Sequence, residues 1–125
     1  MDRKFIITAL CYAIAGMVLG IFMAATRNHG ELVTHAHAML AGFVVSFMYG
    51  LCHKLWLHNN TSLLAQAQFY LHQVGVLGMV IGLFLLYGNL IAIDKIDPVL
   101  ALSSLAVLIA MLLMLILILK APKHA

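Results

Sequence analysis

The sequence predicts an all-α protein, a four-helix transmembrane bundle, and three observations predict it. Hydrophobic residues make up 65% of the 125 positions and charged residues only 9%. Mean hydropathy is +1.09, far outside the usage of soluble domains. The apolar residues also fall into four stretches, each close to the roughly 20 residues that one bilayer crossing requires. Four crossings and short loops consume the sequence, so a single integral membrane domain over 1–125 is expected.

The first span, about 5–26, carries Gly16 and Gly20 in a small-xxx-small arrangement that lets a second helix approach closely. Its charged start, Asp2-Arg3-Lys4, is also a feature of secretory signals. Their apolar core is only about 7 to 15 residues long, so this helix is expected to be retained. The second span, about 33–56, ends on Lys54 and Trp56, residues suited to the membrane interface. The third, about 65–88, starts polar at Gln66 and Gln68 and becomes apolar through Gly75, Gly78 and Gly82 to Tyr87. The fourth, about 98–119, follows Pro98, which suits the first turn of a helix, and is interrupted only by Ser103 and Ser104.

Arg3, Lys4, Lys54, Lys120 and Lys123 fall on one side of this topology, Arg27 and Lys95 on the other. The excess of basic residues on the first side places both termini in the cytoplasm, with a bacterial inner membrane the expected bilayer. The net charge of +3 follows from those basic ends and implies no nucleic-acid partner. Cys11 and Cys52 lack any Cys-x-x-Cys spacing and read as small apolar residues.

The chemistry concentrates at Val33-Thr34-His35-Ala36-His37, where two imidazoles open an almost uncharged helix. An ionisable group at membrane depth is costly, and histidine is the commonest protein ligand for haem iron, copper and zinc. At about 100° per residue, positions 35 and 37 point about 200° apart, so the rings face different neighbours and do not share one metal in a regular helix. The row from His35 through Ala38, Gly42, Ser46 and Gly50 is small throughout. The row from His37 through Ala41, Val44, Met48 and Cys52 is moderately small and apolar. Such rows admit either a closely packed helix or the edge of a macrocycle.

Arg27 and His29 precede the pair on the same side, where the propionates of a haem would need a cation. The competing reading is an interfacial polar cap whose rings reach water. Met39 and Met48 are read as packing residues. His72 sits among Gln66, Gln68, Tyr70 and Gln73, a polar first turn in which it can satisfy its hydrogen bonds. It is about 15 Å or more from His37 along the membrane normal at about 1.5 Å per residue. With His53 and His58 it forms at most a weak second metal site, while His124, Lys120 and Lys123 are expected to be solvated.

The segment Val33-Thr34-His35-Ala36-His37, followed by Ala41-Gly42-Phe43 and Met48-Tyr49-Gly50-Leu51, resembles the tenth helix of subunit I of the haem–copper oxidases. The likeness is greatest to their C-type and nitric-oxide-reductase branch and covers about 20 residues. In that family the first histidine of a His-x-His ligates the high-spin haem and the second the low-spin haem, positions that His35 and His37 match. The family's twelve helices form three arcs of four, with metal-ligand helices second in each arc. This chain is similar to one such arc standing alone, which implies a homo-oligomer, a trimer first and a dimer second.

In a ring of arcs His35 and His37 would each reach a different interface, so that a b-type haem (haem b, iron) takes one axial ligand from each of two copies. The implied site residues are His35 and His37 as ligands, Arg27 near the propionates, and Ala41, Gly42 and Ser46 as the small residues beside the ring. The oxidases' three-histidine copper site has no counterpart here. The implied activity is therefore haem binding with one-electron transfer, or haem sensing or carriage, rather than oxygen reduction. A redox protein or a quinone would be the partner besides the bilayer. A copper or zinc module using His-x-His, and a cofactor-free accessory subunit of a respiratory complex, are the alternatives.

Overall fold

Four long helices cross one another in the computed structural model, which describes residues 1–123; His124 lies outside them. They are α1 (Asp2–Thr26), α2 (Leu32–Leu55), α3 (Leu63–Tyr87) and α4 (Ile93–Lys120), each long and apolar enough to cross a membrane. No strand occurs among the described residues. The chain is an integral membrane protein built as a four-helix bundle. Local chemistry ends each helix. Arg27 closes α1 in the left-handed conformation at φ 56°, and the Ser62 hydroxyl accepts the Ala65 N–H at 3.3 Å to cap α3. Asn89 turns the chain out of α3 at φ 59°.

The fourth helix starts at Ile93, five positions before the expected start, and Pro98 lies inside it rather than in its first turn. The proline removes the N–H that would donate to the Asp94 carbonyl. That loss falls near the exposed helix start, where Asp94 also complements the positive end of the helix dipole.

Two antiparallel hairpins, α1 with α2 and α3 with α4, make up the bundle. Glycines set the spacing of both. A Cβ on Gly42 would lie 2.6 Å from Cγ of Tyr12, and one on Gly50 would lie 2.8 Å from Cδ1 of Ile6. In the second hairpin a Cβ on Gly75 would come within 2.9 Å of the Ser103 carbonyl. Tyr12 and Ile6 thus seat their side chains on α2 backbone, and α3 and α4 bring backbone against backbone, close contacts of the kind that give helices affinity in lipid.

α2 is not a uniform helix. Leu32–His37 and Ser46–Leu55 are α-helical, but the eight residues Ala38–Val45 between them are π-helical. In an unbroken α-helix Thr34 and Ser46 would lie about 120° apart around the axis. Each π residue turns through a smaller angle, so the widened stretch recovers most of that difference. Thr34, Ala38, Gly42 and Ser46 are consequently all buried on one face.

The two hairpins interlock through side chains at the end of the bundle that carries the termini, while their backbones come closer where Leu32–Val45 of α2 passes α3. Phe5 of α1 is fully buried there and packs edge-on against Tyr49 and Phe69, at centroid distances of 5.5 and 4.8 Å. Met114 and Leu117 of α4 complete this core. The α2–α3 loop is tied to the chain start, because Asn59 Oδ1 accepts the Asp2 N–H at 3.0 Å.

Candidate functional site

His35 and His37 both lie in the short α-helical start of α2, ahead of the π-helical stretch, and their rings diverge as the α-helical pitch requires. His35 turns into the groove against α1, where its Nδ1–H donates to the Gly16 carbonyl at 2.7 Å. Gly20 makes room for the ring: a Cβ there would lie 3.1 Å from Cε1 of His35. The small pair Gly16 and Gly20 thus accommodates an imidazole, along with Met39 and Ala38, which a Cβ on Gly16 would meet at 2.5 Å and 3.6 Å.

His37 turns the other way, onto the side of α2 that also exposes Leu40 and Val44. Its Nδ1–H donates to the Val33 carbonyl at 2.8 Å, one turn back in the same helix. A carbonyl oxygen can only accept, so both bonds require the proton on Nδ1. In the neutral ring that leaves Nε2 with its lone pair, in two half-buried imidazoles. Metal-ligating histidines have this arrangement: the second nitrogen donates to a carbonyl, which fixes the tautomer and the ring plane.

The other expected site residues are distributed differently. Arg27 is exposed at the end of α1, in the same loop as His29 and at the same end of the bundle as the pair. Ala41 is half-buried. Gly42 is taken up by the Tyr12 ring, and Ser46 is fully buried against His72 on α3. Neither of these two borders room for a macrocycle within one chain, so the small row from His35 serves helix packing.

His72 departs from the sequence expectation. The polar first turn does not satisfy it, since Gln66 donates to the Thr61 carbonyl, Gln73 donates to Thr8 of α1, and Tyr70 is exposed. His72 instead shares a 3.0 Å hydrogen bond between its Nε2 and Ser46 Oγ, beneath the π-helical stretch of α2. Its Nδ1 has no hydrogen-bond partner among the described residues.

One turn nearer the termini, His53 Nε2–H donates to Gln68 Oε1 at 3.4 Å, leaving His53 Nδ1 and Gln68 Nε2 without partners. Phe5 stacks on His53 at 5.3 Å and Tyr49 sets its edge to His72 at 4.9 Å. The Tyr49 hydroxyl reaches Met111 Sδ at 3.2 Å. His58 is exposed in the loop and does not join His53 and His72. Among the described residues no three His, Cys, Asp or Glu side chains come together as a metal site.

His53, Gln68 and His72 were expected in a polar first turn or a weak metal site and not as a buried cluster, although a signal for the burial exists. Ala65, Gln68, Phe69, His72, Gly75 and Val76 follow helical spacing and are all buried, so His72 continues the packed face of α3. A buried polar atom without a partner carries a cost of about 1–3 kcal/mol. No family model, curated protein or solved structure matches the chain.

Proposed function

We propose that the chain is a membrane b-type haem protein whose axial ligands are Nε2 of His35 and Nε2 of His37, each presented to a different neighbouring copy. One observation carries the reading: the Nδ1 proton of His35 is committed to a carbonyl of α1 and that of His37 to a carbonyl of α2 itself, which leaves Nε2 of each ring as the nitrogen available to a ligand. A polar cap reaching for water needs no such fixed tautomer. In the orientation given by the basic residues, the pair stands in the outward third of the bilayer, with Arg27 close by for a propionate.

A bound haem supplies one-electron chemistry at a potential tuned by its axial ligands and dry surroundings. The residues of this chain hold the imidazole planes, and the exposed face that carries His37, with half-buried Ala41 beside it, is the surface another copy would cover. The divergent rings favour a cofactor that accepts one ligand from each of two chains over a bare copper or zinc ion. Such an ion takes three or four ligands at one point.

The test is a reduced-minus-oxidised absorption spectrum of the protein purified in mild detergent, with the ratio of haem to chain. We expect a bis-histidine b-type spectrum that His35→Ala and His37→Ala each reduce at least tenfold. A ratio near one haem per chain would indicate a closed ring and near one half a dimer. Unchanged haem content in both variants, or a wild-type protein that shifts no Soret band on haemin titration, sinks the proposal.

A further inference from the structure

Towards the imidazole end α1 and α3 part, leaving a cavity of about 700 Å³ between them and the start of α2. Its walls are apolar and aromatic, with Phe22 from α1 and Phe84 and Tyr87 from α3. Its floor is small, formed by Gly16 and Ala38. Glu31 lies at the rim, and among the described residues no lysine, arginine or histidine borders the space.

The Glu31 carboxylate is half-buried and oriented. Oε1 accepts the hydroxyl of Thr34, itself 1% exposed, at 2.7 Å. Oε2 stands beside the end of α3, where a Cβ on Gly88 would approach it to 3.2 Å. The side chain does not cap α2, because no backbone N–H of the first turn donates to it. A carboxyl group at the mouth of an aromatic-walled apolar chamber, with one oxygen held by a buried hydroxyl, complements one class of molecule. We infer that this cavity binds an amphipathic organic cation, with Glu31 as counter-ion and the Phe22, Phe84 and Tyr87 rings as its apolar and cation–π surface. An acyl chain of a lipid would use the same walls but would have no need of the carboxylate. The inference stands apart from the haem reading, because neither His35 nor His37 lines the chamber.

Equilibrium dialysis of tetraphenylphosphonium against the full chain in detergent, corrected with empty micelles, tests it. Saturable binding at one site per chain is expected, at least tenfold weaker in Glu31→Gln and within about threefold of wild type in Glu31→Asp. Tetraphenylborate, of the same shape and opposite charge, should not compete. Ala15→Phe, which fills the chamber from α1 and keeps the carboxylate, should also abolish binding with unchanged helical circular dichroism, and it carries the test alone if Glu31→Gln unfolds. Equal binding of the cation and the borate would assign the cavity to lipid chains. That outcome overturns the inference, as does undiminished binding in Glu31→Gln or in Ala15→Phe.

Discussion

The two ends of this bundle are built on opposite terms. At the terminus end all four helices converge on Phe5, and the side chains that meet there are fully buried even when polar, as with His53, Gln68 and His72. At the imidazole end α1 and α3 separate around about 700 Å³, and the two imidazoles present nitrogens that no other described residue uses. The difference teaches a division of labour. Interlocked side chains join the hairpins at one end, and close approach of the first half of α2 to α3 joins them beside the cavity. Membrane helices gain little from burying apolar surface against one another, so contact must be concentrated where shapes and hydrogen bonds match.

The sharpest way to break this comparison is to empty the packed end. Phe5→Ala removes a ring that touches Tyr49, His53 and Phe69. It should lower the free energy of unfolding by about 2–3 kcal/mol, the cavity share of such a loss, because lipid withholds the share that comes from leaving water; the readout is the midpoint of SDS-induced unfolding in mixed micelles. A loss well under 1 kcal/mol would mean that the two hairpins are not held together there.

A smaller effect is expected from Ser46→Ala, which leaves His72 Nε2 without its partner. A cost of about 0.6–2 kcal/mol follows from hydrogen-bond energetics inside bilayers. The double variant Ser46→Ala with His72→Phe should recover part of it, since removing both partners leaves no orphan. If the double variant is worse than the two single losses added together, the pair is part of a larger polar network rather than an isolated bond.

The smallest change separates stability from ligand binding at the open end. Arg27 adopts a left-handed conformation that glycine accepts without strain. Arg27→Gly should therefore raise stability by about 0.5–1 kcal/mol while lowering haem retention in the purified protein. A drop in stability would show that the guanidinium is an anchor for the fold and not a partner for propionates.

Part of the candidate site is legible in the sequence. The divergence of His35 and His37 follows from helical pitch alone, and the α-helical geometry of Leu32–His37 preserves it. The small row through Ala38, Gly42, Ser46 and Gly50 was also visible, but a row of small residues does not name what fills it. Tyr12 fills Gly42 and Ile6 fills Gly50, both from α1, while His72 meets Ser46 from α3. The start of α4 was misplaced because Pro98 was read as a boundary, although a proline near an exposed helix start costs only one hydrogen bond there.

The sequence by itself determined the membrane class, four apolar spans and the opposed imidazoles, because hydropathy and the pitch of one helix are local properties of consecutive residues. Only the tertiary structure decided that Ala38–Val45 widens into a π-helix, that His72 binds Ser46, and that α1 and α3 part around Glu31. Those features depend on how far each helix is rotated against its neighbours, and in an apolar solvent that rotation is set by side-chain fit between segments far apart in the chain.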